Sequence, residues 1–158
     1  TQEFELDPKF AKQSGWIDFL KEECAIWIQF STGKKINKFE LIGSWVVRQF
    51  QNEYNPIHFH GGHISGAGYL KLPDSFGETI QENKTQNNNG QLVLIHGSKN
   101  LFSEPTLTIK PEVGDFYMFP NWLDHQVYPF KSKYKKPDIK GERRSFSLNI
   151  IYQNVKED

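Results

Sequence analysis

Cysteine occurs once in this 158-residue chain, as Cys24, so no intrachain disulfide is available. A lone thiol of this kind fits a reducing, cytoplasmic setting. No apolar run approaches the ~18 residues of a membrane span. Charge of one sign is not in excess either: 19 basic and 19 acidic side chains give a formal net charge of zero. No global field would therefore recruit nucleic acid or an anionic membrane. The opening residues Thr-Gln-Glu-Phe-Glu offer neither a basic patch nor an apolar stretch, so no signal peptide is expected. The missing initial methionine points to a trimmed or processed chain. Helical periodicity is scarce as well.

What is present suits many short strands. Aromatic residues make up 15% of the chain, alongside 12 glycines and 8 prolines. The length suits one domain, residues 1–158, with a sizeable core. An acidic lead-in ends at Asp7-Pro8, a helix-start signal. Over 10–30 the apolar residues Phe10, Ile17, Leu20, Cys24, Trp27 and Ile28 recur near a 3.6 period, which predicts one amphipathic helix stopped by Ser31-Thr32-Gly33. Strands are expected at 39–51, through the histidines, and at 66–72, 91–96, 106–110, 115–119, 126–130 and 143–152. Val113-Gly114-Asp115 reads as a hairpin-type turn. The polar stretch 74–90 reads as a mobile surface insert, and the Lys-rich 131–142 as a loop. The sum is one helix and about eight strands: an all-β sandwich or barrel with a helix packed outside.

Three of the five histidines fall within six positions, in Pro56-Ile57-His58-Phe59-His60-Gly61-Gly62-His63. On a strand, residues i and i+2 share a face, so His58 and His60 can aim at one point. Two ligands hold an open-site metal weakly. His125, in Phe119-Pro120-Asn121-Trp122-Leu123-Asp124-His125, is delivered by a strongly apolar strand and supplies the third. The reading is a metal site.

Three segments then resemble a family in the right order, over roughly 36–153. They are Pro56 to Leu70, Gly114 to Val127 with its Pro120 and His125, and Gly141-Glu142-Arg143-Arg144-Ser145-Phe146-Ser147-Leu148-Asn149. The sequence resembles the short double-stranded β-helix (jelly-roll) oxygenases that use Fe(II) and 2-oxoglutarate, in particular a branch of marine bacteria and their phages. That resemblance implies Fe(II), 2-oxoglutarate and O2 as metal and co-substrates, with a C–H bond of an unidentified peptidyl or small-molecule substrate hydroxylated and succinate and CO2 released. It implies the cytoplasm, a host's if phage-encoded. It places the metal on His58, His60 and His125, and the 2-oxoglutarate clamp on Arg143-x-Ser145. Arginine suits a carboxylate because its planar fork offers two parallel N–H donors. Tyr69 matches a position where relatives often place a hydroxyl on the same carboxylate.

The chain departs from the family's pattern once. The usual set is two histidines and a carboxylate, and here the carboxylate position holds His60. A cupin-type dioxygenase without 2-oxoglutarate, or a metal-binding jelly roll without turnover, therefore stands beside the oxygenase reading.

Other residues read as background. His63 is expected at the pocket rim and His96 on the surface, while Asp124, adjacent to His125, points elsewhere. Strand alternation lets only one of Arg143 and Arg144 face the pocket, and Arg143 is taken. Lys131, Lys133, Lys135, Lys136 and Lys140 read as a solvated loop. Trp45, Tyr54, Phe59, Trp122 and Tyr128 read mostly as core, with Trp122 at the substrate mouth.

Overall fold

A computed structural model describes residues 1–156. Two antiparallel sheets face each other. The larger, in the order β1-β2-β9-β4-β7, contains β1 (Gln2–Glu5), β2 (Ile36–Gln49), β9 (Arg143–Asn154), β4 (Ile64–Lys71) and β7 (Phe116–Pro120). The smaller, in the order β3-β8-β5-β6, contains β3 (Asn55–His58), β8 (Asp124–Val127), β5 (Leu92–Ile95) and β6 (Thr106–Ile109). The chain passes back and forth between the sheets, as in a double-stranded β-helix.

The expected single helix is two. In α1 (Pro8–Gln13), the Asp7 side chain accepts the Lys9 and Phe10 N–H groups, and Pro8 begins the first turn. The periodicity of 10–30 runs straight through Ser14-Gly15, but Gly15 has φ +82° and breaks the helix there. Phe10 is left exposed on the short first piece. In α2 (Trp16–Thr32), Leu20, Cys24 and Ile28 form the buried stripe, and Gly33 ends the helix. That stripe packs on Ile64, Leu148 and Ile150 of the larger sheet. The lead-in, too, is more than coil, since β1 adds a strand to the edge of β2. Nine strands are present among the described residues, and none of the helices is long and apolar enough to cross a membrane.

Alternation along β9 fixes what faces where. Leu148 and Ile150 lie under the helix, whereas Arg143, Ser145 and Ser147 face the space between the sheets. Opposite them, β2 turns Trp45, Val47 and Gln49 into the same space, in register with Ser147, Ser145 and Arg143. Gly68 has to be glycine because a Cβ there would lie 2.1 Å from the Phe146 ring.

One local expectation is corrected. The Val113-Gly114-Asp115 turn joins strands of different sheets, because β6 pairs with β5 and β7 with β4. It is not a hairpin; instead the Gly114 N–H donates to the Tyr69 carbonyl. The 74–90 insert lies on the surface, with its two ends tied down. The Asn89 side chain donates to the carbonyls of Phe76 and Glu78, and Lys131 N–H donates to Phe76.

Candidate metal and anion site

A cavity of about 270 Å³ lies between the sheets, with His58, His60 and His125 on its lining together with Arg143 and Ser145. The histidine nitrogens that could ligate all lie within 4.8 Å of one another, and no carboxylate joins them among the described residues.

His58 ends β3 and sits opposite His125 in the β3–β8 ladder. Its Nδ1 lies 2.6 Å from the Pro56 carbonyl, and His125 Nδ1 lies 2.9 Å from that of Leu123. A carbonyl can only accept, so each Nδ1 carries the proton and each Nε2 keeps its lone pair for a metal. His60 does not share the strand with His58: β3 has ended, and His60 lies in the loop beyond it. Its ring nevertheless reaches the same point, with Nε2 3.1 Å from Nε2 of His125 and the ring beside Trp45. The convergence predicted for the pair holds, but a loop produces it and not strand alternation.

Burial pushes the His60 imidazole down to about 4, helped by the charges His125 and His58 would carry. Burial also lowers His125, against the hydrogen bond to Leu123 that works the other way. Clustered imidazoles that resist protonation are the donor set that a transition metal needs. The residues fit a divalent ion.

The second half of the cavity carries a buried positive charge. Arg143 opens β9, is only 3% exposed, and has no acidic partner among the described residues. Its Nε donates to the Gly90 carbonyl at 3.0 Å and its Nη1 to Ser145 Oγ at 3.3 Å. The guanidinium lies 5.1 Å from the centre of the Tyr69 ring. The Tyr69 hydroxyl is buried, and no well-formed hydrogen bond reaches it from the described residues. Burial lowers the Arg143 pKa and raises that of Tyr69, as expected for a charge and a phenol away from water. A buried cation that has no counter-charge among the described residues is costly unless a carboxylate or similar group joins it.

Arg144, on the opposite face, turns away to Glu142. That fully buried carboxylate receives paired bonds from both Arg48 and Arg144, at 2.6–3.1 Å. The alternation reading of Arg143 against Arg144 is therefore right, while nothing in the sequence pointed to Glu142.

Several expected background roles change. His63 is not at the rim: it is exposed, accepts the Tyr152 N–H, and packs on that ring outside the cavity. His96 is on the surface as expected, and Trp122 is 56% exposed against it, away from the cavity lining. Tyr54 and Phe59 are exposed and not core, since they flank the short edge strand β3. Asp124 is exposed and takes no part in the histidine cluster. The Gly90 carbonyl and the Trp45 ring had no signal in the sequence, since each acts through position alone.

Comparison with known proteins bears on this geometry. Residues 43–149 match the sequence profile of a family described as "Putative 2OG-Fe(II) oxygenase". A Pseudomonas putida prolyl-4-hydroxylase superposes with a TM-score of 0.61 at 14% identity, covering 98% of this chain and 72% of the other. The viral collagen prolyl hydroxylase of Paramecium Bursaria Chlorella virus-1, in its 2OG complex, gives 0.59 at 17% identity, covering 94% and 77%. A 2OG-Fe(II) oxygenase family oxidoreductase from Burkholderia pseudomallei gives 0.54 at 12% identity; 82% of this chain aligns but spans only about half, 52%, of that one. At these identities the structural likenesses speak for the fold. No match was found among curated proteins.

Proposed function

The chain belongs to the 2OG-Fe(II) oxygenase family, and from that premise we propose that it hydroxylates a C–H bond, with His58, His60 and His125 holding the iron. Fe(II), 2-oxoglutarate and O2 are the family's metal and co-substrates, and both halves of the cavity suit them. When bound, they supply the oxidising power: one oxygen atom leaves in succinate as CO2 is lost, and the other enters the substrate.

The protein's share is orientation and enclosure. The Pro56 and Leu123 carbonyls fix the tautomers of His58 and His125, so both present Nε2 without a proton to remove. Three neutral imidazoles leave the full metal charge to be balanced by the anionic co-substrate. Arg143 grips the distal carboxylate of 2-oxoglutarate. Its Nε is committed to Gly90, which leaves the terminal nitrogens for the ligand. Ser145 accepts from Arg143, so its own hydroxyl hydrogen is free to donate to the same carboxylate. Tyr69 supplies a further hydroxyl. Leu92, Phe119 and Val127 give the wall an apolar stretch, beside polar lining from Glu3, Gln49 and Asn55.

The observation that carries this reading is Arg143, a buried guanidinium without an acidic partner among the described residues, lining one cavity with the three histidines. A cupin-type dioxygenase or a silent metal-binding module has no use for that group. The substrate is a peptidyl or small-molecule C–H compound. Two structural neighbours are prolyl hydroxylases, which makes a prolyl peptide the first to assay. The lone buried thiol of Cys24 supports a reducing, cytoplasmic setting, and 1–158 is taken as one domain.

The test is anaerobic loading with Fe(II), with and without 2-oxoglutarate. The expected result is a weak visible charge-transfer band that needs both, followed by succinate formation when O2 is admitted. Metal binding with no effect of 2-oxoglutarate on spectrum or stability would transfer the assignment to the cupin-type or non-catalytic alternatives.

A further inference from the structure

His60 presents a problem that His58 and His125 do not. Those two sit on paired strands, where ladder hydrogen bonds fix the backbone and hence the ring direction. His60 lies beyond the end of β3 and is followed by Gly61-Gly62, with Gly62 at φ +91°. Such a segment has little stiffness of its own. Something outside the segment has to hold it.

One residue does. The His60 N–H donates to the Asn121 carbonyl at 3.0 Å, and the His60 carbonyl accepts from Asn121 Nδ2 at 2.9 Å. Both main-chain polar groups of His60 are thus taken by the same partner. Asn121's own N–H donates to the His63 carbonyl at 3.1 Å, which closes the loop at its far end. Asn121 follows β7 and stands four positions before His125, in the tight turn where the Leu123 N–H donates to the Pro120 carbonyl. The turn that leads to one histidine therefore grips the loop that carries another. A carboxamide suits this place because it offers an N–H donor to a carbonyl at short reach, which an aspartate could not.

We infer that Asn121 is a positioning residue that sets the direction of His60 toward the metal, acting through the His60 main chain. This rests on His60 being the third ligand, as proposed above, and the experiment separates the two claims. Asn121→Ala, Asn121→Ser, His60→Ala and the Asn121→Ala/His60→Ala pair are compared by calorimetric titration with Co(II) or Mn(II). The visible spectrum of the Co(II) form reports the ligand set, and thermal unfolding of the metal-free chains reports the fold.

Truncation leaves the main-chain bonds of Asn121 in place, so both single variants should melt close to wild type. Asn121→Ala should weaken metal binding about tenfold, the lower end of the effect of losing a residue that orients a ligand, and should move the Co(II) spectrum toward that of His60→Ala. Asn121→Ser, too short to span to His60, should match it. In the His60→Ala background, Asn121→Ala should cost nothing further. Equal losses in both backgrounds, or a large fall in melting temperature, would mean that Asn121 supports the fold at large and would overturn the inference. Loss on His60→Ala with none on either Asn121 variant would overturn it while leaving the three-histidine set intact. No loss on His60→Ala would remove the third ligand itself, and this inference with it.

Discussion

His58 and His125 are cross-strand partners in the β3–β8 pair, with ring centroids 4.1 Å apart. Register alone therefore brings two of the three candidate ligands together. Replacing either with alanine should lower Fe(II) or Mn(II) affinity by more than about a hundredfold, since losing even a group that only orients a ligand costs about 10–100-fold. His63→Ala and His96→Ala should change it little, because both rings lie outside the cavity. Calorimetric titration checks this, and a damaging His63→Ala would show the set to be wrongly chosen.

His60 stands where a carboxylate is usual. His60→Asp should retain metal binding with two histidines and one carboxylate, while His60→Ala should weaken it. If His60→Ala bound both metal and 2-oxoglutarate like wild type, only two protein ligands would be needed.

Arg143 should carry most of the 2-oxoglutarate affinity. Hydrogen bonds to charged groups are worth about 1.5–3 kcal/mol each, so Arg143→Ala should cost about tenfold to several hundredfold. Arg143→Lys should recover part of this, because a point charge cannot match both oxygens. Arg144→Ala should leave 2-oxoglutarate affinity unchanged and lower stability, as its partner is Glu142. Titrating 2-oxoglutarate into the Mn(II)-loaded proteins measures all three, and metal binding should survive each change.

Glu142 predicts an acid-sensitive share of stability. Burial would raise its carboxyl, but the paired bonds from Arg48 and Arg144 outweigh this and hold it at about 2, below the ordinary 4.5. A folded-state pKa below the unfolded one contributes stability that is full above about 4.5 and fades as pH falls toward 2. Wild type should therefore be more stable than Glu142→Gln at neutral pH, and the gap should narrow across that window. Urea midpoints from pH 6 downward would show it; a gap independent of pH would exclude the ion pairs as its source.

Leu20 tests the helix–sheet layer. It is fully buried between α2 and the larger sheet, so Leu20→Ala should destabilise the fold by about 2–5 kcal/mol, read from denaturant unfolding, with metal affinity unchanged.

Periodic patterns were legible in the sequence, and features set by loops were not. Alternation in β9 separated Arg143 and Ser145 from Leu148 and Ile150 and favoured Arg143 over Arg144, while the clamp itself was implied by the resemblance and not by the pattern. The three histidines were found for a partly mistaken reason, because His60 reaches the site from a loop held by distant hydrogen bonds. Gly15 divides a helix whose apolar spacing continues across it. The Arg48–Glu142 pair and the Gly90 carbonyl were invisible because the partners lie 94 and 53 residues apart in the chain. Tyr54 and Phe59 look like core residues by type alone, yet they flank an edge strand and stand exposed.

The guanidinium of Arg143 is held from three directions: the Gly90 carbonyl at Nε, Ser145 at Nη1 and the Tyr69 ring at its side. A group so held has little room to slide. On the proposed function, the cavity would then favour a keto-diacid of one length, so homologues one carbon shorter or longer than 2-oxoglutarate should bind the Mn(II)-loaded protein more weakly.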